Sequence, residues 1–490
     1  MPKVLNRDQT PGYISEHSPA YRGGYVTDVN RDYTPGILLQ ALVDALTPHG
    51  KYRAAVHAKA WAAYNGEHPR SLQKDTTDNT DDDVRINFPR LAIETGVTYL
   101  FGKPFTIQTG DETQTDMPEE ELLDAFWKPT GDGLVRLQKA SKYGDISGHV
   151  VVKLQPDPDK PGPPRLIVCN PTAFEAKTER DDADLVYEYD LLWAYDDASG
   201  TILRRQRHVK NDSGLSWTIV DEQAFIETAG QPPIWITLDS VTWAWPFPAV
   251  YDCQNLPDVG YYGAPDLTQD VIDLAYSGNR NASNLNRMVR LFAHPRYVGM
   301  GLGTLGAVTM RPGEFLNFPS DEAKVQALAE YGDIAGALQF GDSLRQAFMM
   351  LAHTPEVATG KLENIGQLSG LAIQILYGPL VARIELKRLT YGGLIDKVSA
   401  AVLAMGGYDP ETPVALNWPE VVPTDPVAEG QSLIQDEQLG ASKRTLLQKR
   451  GYDPDVEEQQ RGAEQDAAIE AAQHLADRGE GPGGLAPQAE

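Results

Sequence analysis

The chain has 490 residues, of which 41% are hydrophobic and 23% are charged, so it is long enough for several domains with a substantial core. Its 43 Lys and Arg residues against 69 Asp and Glu residues give a formal net charge of −26. Affinity for phosphate depends on clustered cations, so this acidic net charge argues against a protein that binds nucleic acid tightly. It leaves room for a protein through which nucleic acid slides.

Cysteine content and apolar runs indicate where the protein is made. The two cysteines, Cys169 and Cys253, do not suggest a disulfide framework, and they favour a reducing compartment. Residues 1–18 contain no apolar stretch typical of a signal peptide. The longest apolar run, 371–381, is too short to cross a bilayer. We therefore expect a soluble protein made in the cytoplasm, without a membrane partner.

The first part of the chain is polar. Residues 1–36 contain four prolines and predict an extended arm, and a helix is expected from 37 to 61. Residues 71–83 form an acidic stretch that ends in three consecutive aspartates. Adjacent carboxylates do not converge on one point in a helix or a strand, so we interpret Asp81, Asp82 and Asp83 as a solvated loop and not as a metal site.

Residues 84–260 predict a mixed α+β region. Helices are expected at 84–100, with Ile86 and Leu91 turned inward, and at 131–146, and a strand at 104–109. Gly102-Lys103-Pro104 lacks the glycine spacing and the following Ser or Thr of a phosphate loop. Alternating segments separated by turn residues then predict an antiparallel sheet. These segments are 149–154, 165–169, 185–195, 201–209, 215–220 and 233–238.

Two long helices follow, at 265–292 and 333–352. Asp266 and Gln269 have the spacing of a capping box at the start of the first helix. Between the helices lies a short segment rich in glycine and β-forming residues. It contains Gly301-x-Gly303-x-x-Gly306, but the strand-turn-helix unit of a dinucleotide-binding fold is missing around it.

A loop of small and polar residues, 353–370, leads into a helix from 371 in which apolar residues recur with a helical period. Proline removes a backbone donor and clashes with the preceding turn, so Gly378-Pro379 predicts a kink inside this helix. Ser442 is the expected N-cap of a later helix that stops at Gly451. Residues 478–490 are rich in Gly and Pro and predict disorder.

The stretch 353–393, taken with Tyr-Leu-Phe-Gly-Lys-Pro-Phe at 99–105, resembles the portal proteins of tailed bacteriophages, the head-to-tail connectors of the siphophage type. The resemblance implies an α+β portal fold with a mixed α/β wing, a two-helix stem, a small β-rich clip, a tunnel loop, a long kinked helix and a helical C-terminal crown. Its segments would be the arm 1–36, the wing 37–264, stem helices 265–292 and 333–352, the clip 293–332, the tunnel loop 353–370, the kinked helix with the rest of the wing 371–422, the crown 423–477 and the tail 478–490.

The function implied by this resemblance is that of a dodecameric ring at one capsid vertex of the virion. Double-stranded DNA would pass through its channel, without sequence specificity, during packaging and ejection. The implied partners are the terminase large subunit, the scaffolding and major capsid proteins, and the head-completion and tail adaptor proteins. The sequence has no GxSxG elbow, Walker A motif or paired Cys motif, so we expect no enzyme activity, cofactor or metal.

The resemblance also suggests where DNA and terminase would make contact. The stem helix would place three arginines near the channel, namely Arg280, Arg287 and Arg290. The clip would offer Arg296, Tyr297, Arg311 and Glu314 to terminase. The tunnel loop would turn Thr354, Glu356, Thr359, Gly360, Lys361, Asn364 and Gly366 towards DNA.

Two alternatives stay open from the sequence. The chain could be a cytoplasmic nucleotide- or metal-dependent enzyme that uses the glycine-rich segment 301–306. It could also be a minor head-morphogenesis protein that binds a portal without forming one. The histidines have neither the HExxH spacing nor that of a zinc finger, and His353 and Glu356 lack a third ligand nearby.

Overall fold

The computed structural model of the chain describes residues 40–74, 80–109, 118–127, 133–156, 163–197, 200–211, 214, 216–225, 233–293, 297–300, 324–327, 334–356, 370–421, 434–440, 442–449, 457 and 461–462. The described residues within Met1–Leu368 and Ala372–Val421 form one unit. Those within Ser369–Leu371 and Val422–Glu490 form a second unit. The architecture is mixed α+β, as the sequence predicts.

The helices alternate with short and long β segments along the chain. Their bounds are α1 Gln40–Ala45, α2 Pro48–Asn65, α3 Phe88–Phe101, α4 Pro118–Trp127, α5 Gly133–Ser147, α6 Gln269–Ala293, α7 Ile334–Leu351, α8 Gly370–Gly406 and α9 Lys443–Lys449. The N-cap prediction for α9 is confirmed, because Ser442 Oγ accepts a hydrogen bond from the Thr445 backbone N–H at 3.2 Å.

The strands form four antiparallel sheets. Their bounds are β1 Thr106–Thr109, β2 His149–Gln155, β3 Arg165–Cys169, β4 Phe174–Thr178, β5 Val186–Asp197, β6 Gly200–Lys210, β7 Trp217–Phe225, β8 Ile236–Thr242, β9 Val250–Gln254, β10 Tyr297–Met300, β11 Lys324–Ala327 and β12 Val414–Asn417. The strand orders are β3-β2-β9, β4-β5-β6-β7-β8, β1-β12 and β10-β11. The single sheet expected from the alternating segments is therefore divided into two, because β2 pairs with β3 and β9, whereas β4 to β8 pair among themselves.

The five-stranded sheet has apolar side chains on both faces. Consecutive residues of a strand point to opposite sides, so Leu191 and Leu192 belong to different core clusters. Leu191 packs with Phe174 and Trp217 on the side of β2 and β9. Leu192 packs with Leu42 and Leu46 of the N-terminal helical segment. The sheet is thus held between two other layers of the same unit.

On the α1 side, the apolar patch of this sheet borders a set of ion pairs. Arg207 Nη2 lies 2.6 Å from Glu188 Oε1, and Arg205 Nε lies 2.6 Å from Glu222 Oε2. Asp190 faces Arg207 across β5 and β6, and burial raises the pKa of this carboxyl to about 6. Opposite charges on neighbouring strands stabilise the pairing, so these residues help to fix the register of β5, β6 and β7.

The helix expected from 37 to 61 is divided at Leu46 and Thr47. Thr47 caps α2 by accepting a hydrogen bond from the Gly50 backbone N–H at 3.1 Å, and Pro48 occupies the first turn. The Thr47 hydroxyl also donates to Glu175 of β4. The guanidinium of Arg53 lies 3.6 Å above the centre of the Tyr262 ring and donates to the Phe174 carbonyl at 2.6 Å. These contacts attach α2 to the sheet.

Two sequence predictions about helix starts are wrong. Residues 84–87 are not helical, and α3 begins at Phe88 after the N-cap Asn87. Ile86 and Leu91 are exposed where the helical pattern predicted burial. The first long helix begins at Gln269, four residues later than expected. Asp266 does not cap it, because its carboxylate binds Lys387, Arg383 and Asn255 instead.

The second half of the larger unit contains the long helices α6, α7 and α8 and an antiparallel pair of strands. Helix α7 packs along α6, and Asn281 Nδ2 donates to the Ala337 carbonyl at 3.1 Å. Between the two helices in sequence, β10 and β11 pair antiparallel from Tyr297 opposite Ala327 to Met300 opposite Lys324. Pro379 lies inside α8, which continues through it. The prediction that the proline does not end the helix is therefore confirmed.

Two helical glycines offer a test of this packing. A Cβ at Gly144 in α5 would lie 2.4 Å from Tyr391 Oη and 2.8 Å from Val150 Cγ2, whereas a Cβ at Gly392 in α8 would have its nearest neighbour at 3.9 Å. We expect Gly144→Ala to lower the free energy of unfolding by about 1–3 kcal/mol through overpacking.

The matched substitution Gly392→Ala should be neutral or stabilising by up to about 1 kcal/mol, because alanine is the better helix former. Chemical denaturation followed by circular dichroism measures both. Equal effects of the two substitutions would contradict the close packing of α5 against α8.

Candidate functional site

Residues 80–87, called here the strap, belong to no helix or strand and are held beside α6 by polar side chains. The backbone N–H of Val84 donates to Ser283 Oγ at 2.9 Å, and that of Ile86 donates to Asn279 Oδ1 at 2.9 Å. Asn286 Nδ2 donates to the Asp82 carbonyl at 3.1 Å. These backbone groups of the strap have no partners in a helix or sheet, and side chains of α6 provide their hydrogen bonds. These bonds explain why a non-helical segment is ordered against a helix.

Asp82 is the charged anchor of the strap, with only 2% of its surface exposed. Arg290 Nε donates to its Oδ1 at 2.8 Å and Arg287 Nε to its Oδ2 at 3.0 Å. The hydrogen bond from Arg290, followed by that from Arg287, lowers the pKa of this carboxyl. The interpretation of the three aspartates as a solvated loop is therefore wrong for Asp82. Asp81 fits it better, since its side chain is exposed and pairs with Arg70 at 2.6 Å.

The three predicted stem arginines consequently differ in their surroundings. Arg287 and Arg290 both bind the Asp82 carboxylate of the same chain, which offsets one of their two positive charges. Arg287 also donates to the Gln73 carbonyl at 2.7 Å. Arg280 is exposed, and the described residues include no ion-pair partner for it. A side chain already held by a buried carboxylate is not free to meet a phosphate, so Arg280 is the stem arginine best placed to do so.

A second polar site lies in the interior, where α5, α8 and the segment before α6 meet. We call Asp145, Asp266, Arg383 and Lys387 the ion cluster. Lys387 Nζ lies 2.6 Å from Asp145 Oδ1 and 2.7 Å from Asp266 Oδ2, and Arg383 Nε lies 2.9 Å from Asp266 Oδ1. Lys387 is 2% exposed and Asp145 is fully buried. Two carboxylates and two cations balance in charge, which is what burial requires.

Neighbouring groups hold the ion cluster in place. Asn255 Nδ2 donates to Asp266 Oδ2 at 3.0 Å, and Tyr391 Oη donates to Asn255 Oδ1 at 2.9 Å. The Asp266 backbone N–H donates to the Asp145 carbonyl at 2.8 Å. Helix α3 also approaches the ion cluster, through Gly96. Five segments therefore meet here, namely α3, α5, the residue after β9, the segment before α6, and α8.

The two carboxyls of the ion cluster titrate differently. Burial raises the pKa of Asp145 to about 7, because it outweighs the attraction of Lys387. Burial would also raise the pKa of Asp266, but Lys387 and Arg383 together outweigh it and lower this pKa. Asp266 is therefore the permanent anion of the cluster, and Asp145 is the group that can take up a proton near neutral pH.

A small cavity of about 20 Å³ adjoins the ion cluster. Its wall includes Asp145, Lys387 and Gly96, together with His353 and Thr354 from the segment after α7. A cavity of this size holds about one water molecule. Asp145 Oδ2 is buried without a hydrogen-bond partner in the described structure and would accept a hydrogen bond from such a water.

The predicted tunnel loop begins at this cavity. Thr354, which was predicted to face DNA, is 2% exposed, and its hydroxyl donates to the Ala352 carbonyl at 3.1 Å. Its position under α8 corrects that prediction. Glu356 Oε1 lies 3.1 Å from Arg345 Nη2 of α7. The remaining loop candidates, Thr359, Gly360, Lys361, Asn364 and Gly366, lie outside the described residues.

The clip and kink positions predicted from the sequence are only partly within the described structure. Tyr297 begins β10, whereas Arg296, Arg311 and Glu314 lie outside the described residues, as does the glycine-rich segment 301–306. Gly378 and Pro379 are both within α8. The kink itself stays a prediction.

The ion cluster was not predicted from the sequence, although one signal for it exists. Lys387 falls among Ile384, Tyr391 and Leu394 at spacings of three and four, on the buried face of α8. A lone lysine in such a stripe requires a buried carboxylate, but nothing in the spacing identifies Asp145 or Asp266, which are more than a hundred residues away.

Neither a metal centre nor a membrane span is found in the part of the chain that the structure describes. Within those ranges, no three His, Cys, Asp or Glu side chains are grouped so that they could hold a metal ion. No helix among the same residues has both the length and the hydropathy needed to span a bilayer.

The ion cluster leads to a prediction about stability. Lys387→Met should lower the free energy of unfolding by about 3–5 kcal/mol, because it leaves the buried Asp145 without its cation. The double variant Lys387→Met, Asp145→Asn should recover part of this loss, since no unpaired charge is then left beside residue 387. Denaturant titrations of the four proteins test this, and a double variant whose loss equals the sum of the two single losses would contradict the pairing.

A pH dependence follows from the raised pKa of Asp145. The ordinary value is 3.8 and the folded value is about 7, so the folded state binds this proton more tightly than the unfolded state. The stability that this difference contributes is complete below about pH 4 and is lost as the pH rises towards 7. The melting temperature of the wild type, measured relative to that of Asp145→Asn, should therefore fall between about pH 4 and pH 7 and level off at higher pH. A constant difference between the two proteins would contradict the assignment.

No protein-family model matches the sequence, and no curated protein matches it. Among solved structures, the chain is similar to a chain of the virion of the native gene transfer agent (GTA) particle, with 13% sequence identity and a TM-score of 0.44, over 75% of this chain and 90% of that chain. It is also similar to a chain of the neck of the native GTA particle computed with C12 symmetry, with 15% identity, a TM-score of 0.42 and the same coverage. Both of these structural neighbours are thus chains of GTA particles, at a degree of likeness that does not assign a function.

Proposed function

We propose that this chain is a tailed-bacteriophage portal protein, which forms a ring at one capsid vertex of the virion. The ring would be the channel for DNA packaging and ejection. It would also be the docking site for the terminase large subunit, the scaffolding and major capsid proteins, and the head-completion and tail adaptor proteins. The proposal includes no catalytic activity, cofactor or membrane contact for this subunit.

One observation carries this proposal, namely the order of α6, the β10–β11 pair, α7 and α8. A long helix leads to an antiparallel pair of strands, a second helix returns along the first, and a proline-containing helix of 37 residues follows. This is the order of stem, clip, stem and kinked helix that the resemblance to portal proteins implies. The mixed α+β region before α6 corresponds to the wing.

The charge distribution on α6 supports a channel that DNA passes without being gripped. Two of the three stem arginines share one buried carboxylate within the subunit, which offsets one of their two positive charges, and the chain has a net charge of −26. Non-specific binding to DNA grows with the number of phosphates that lysine and arginine neutralise. A wall with few free cations therefore allows the duplex to move.

The assembly state of the purified protein tests the proposal directly. We expect negative-stain electron microscopy to show rings of about a dozen copies with a central hole, and sedimentation velocity to give the corresponding mass. A protein that stays monomeric also with scaffolding and capsid proteins present, or that carries a bound nucleotide, would contradict it.

The stem arginines provide a test of the channel wall. Arg280→Gln should weaken the retention of double-stranded DNA by the rings and flatten its dependence on salt, because a free phosphate contact is lost from every copy. Arg290→Gln is the matched control. It should change the salt dependence less than Arg280→Gln does, because Asp82 already binds that guanidinium and keeps it from direct contact with a phosphate. If both substitutions changed DNA retention equally, the assignment of Arg280 to the channel would be wrong.

A further inference from the structure

Helix α8 has a row of uncharged residues on its exposed face, which we call the α8 seam. Its members are separated by alternating steps of four and three residues, the spacing of a helix that packs along another helix. They are Ile375, Pro379, Ala382, Leu386, Leu389 and Gly393. Leu389 is 75% exposed, Ile375 68% and Leu386 43%. The seam spans about 27 Å of helix.

The opposite face of α8 makes the α8 seam a rigid surface. Lys387 and Tyr391 are buried there and fixed by the ion cluster and Asn255, and Leu394 and Ile395 continue the buried face. A helix anchored in this way cannot turn to bury the seam in its own subunit. An apolar surface that is already held in place loses little conformational entropy when it binds a partner.

A second apolar surface of the chain is concave. Between α6, α7 and the end of the strap lies an open cavity of about 200 Å³, called here the stem groove. For comparison, an engineered apolar cavity of about 150 Å³ accepts benzene. Its lining is mostly apolar and includes Ile86, Phe88, Gly278, Leu338, Asp342 and Arg345.

The floor and the rim of the stem groove fit an apolar side chain. A Cβ added at Gly278 would meet no atom within 4 Å, so this position opens into free space. Leu338 at the rim is exposed. The two charged residues of the lining, Asp342 and Arg345, lie 3.7 Å apart and offset each other. The groove therefore has apolar depth and little net charge.

Charge decides which partner covers the α8 seam. Its six positions have no charged side chain, so it gives no phosphate contact and does not fit nucleic acid. Every copy of the chain has a net charge of −26, so copies repel one another wherever carboxylates face each other. The neutral seam and the neutral groove are surfaces on which two such copies can approach with little repulsion.

We propose that the α8 seam of one copy docks in the stem groove of the next copy, with Leu386 and Leu389 as the inserted side chains. The seam and the groove share no residue, so the contact joins two different surfaces of the chain. Repetition of such a contact gives a closed ring when the rotation between copies closes. The inference rests on the proposed function and names the surfaces through which the ring would form.

The size of the contact agrees with a ring and not with an isolated dimer. A stripe about 27 Å long and about 10 Å wide covers on the order of 270 Å². A stable interface buries about 800 Å² on each partner. One seam is thus too small to hold two copies together, whereas in a ring every copy is held on two sides and other surfaces add to each contact.

Substitutions on both surfaces test the inference in the full-length protein. Leu389→Asp puts a charge on the seam, and Gly278→Phe fills the groove. We expect both variants to lose rings and sediment as monomers with an unchanged melting temperature. The control is Val259→Asp, which adds the same charge at a fully exposed apolar residue outside both surfaces and should keep the rings.

Engineered cysteines identify the contact directly. Leu389→Cys combined with Gly278→Cys should give a ladder of disulfide-linked copies on mild oxidation, whereas Val259→Cys combined with Gly278→Cys should not. Dimers formed by Leu389→Cys alone would mean that seam meets seam and would overturn the pairing with the groove.

The outcomes separate this inference from the proposed function. If the wild type and both variants, Leu389→Asp and Gly278→Phe, form rings and no cross-linked ladder appears, the inference is overturned. The portal proposal then still stands. A wild-type protein that forms no ring under any of these conditions would overturn both.

Discussion

The contact between Lys387 and the two aspartates Asp145 and Asp266 determines how the rest of the larger unit is arranged. It joins the end of α5, the segment before α6 and the middle of α8 at distances of 2.6 and 2.7 Å, inside a core without bulk solvent. A buried ion pair is weak as a source of stability but strict in geometry, because a displaced partner leaves a charge unpaired. The positions of α6 and α8 are therefore fixed relative to the sheets by charge as well as by packing.

The long helices α6 and α8 each have residues that make contacts inside the subunit and residues that stay exposed. The buried face of α8 is used inside the subunit, and its exposed face retains an apolar row that the subunit does not cover. On α6, the arginines near the strap are used inside the subunit and Arg280 is not. In both helices the residues left over lie away from the subunit core, which is where contacts with other molecules are made.

The sequence predicted the elements with strong periodicity and missed those defined by distant partners. The two long helices, α7 above all, and most strands of the five-stranded sheet follow from helical or alternating patterns. The strap could not be predicted, because Ile86 and Leu91 have helical spacing, whereas the side chains of Asn279 and Ser283 bind the backbone of residues 84–86 outside any helix. Asp266 has the spacing of a helix cap, yet a buried lysine far later in the chain, Lys387, binds it.

The candidate site shows the same division. The arginines of α6 were identified by residue type, but the sequence does not reveal that Asp82, about two hundred residues earlier, binds two of them. Likewise, Thr354 is polar and lies in a loop segment, and only the position of α8 above it explains its burial. Local patterns report a residue's own segment, whereas charge neutralisation and burial depend on segments that fold against it.

The pairing of β1 with β12 has a consequence for how the chain folds. Thr106 lies opposite Asn417, so this small sheet encloses about three hundred residues between its strands. Contacts between residues so far apart in sequence form slowly, because a long loop must close before any stabilising contact is made. The region before α6 cannot reach its final structure during synthesis until β12 has left the ribosome. A shortened chain that ends after α7 would lack both β12 and Lys387, leaving β1 as an unpaired edge and Asp145 as an unpaired buried acid.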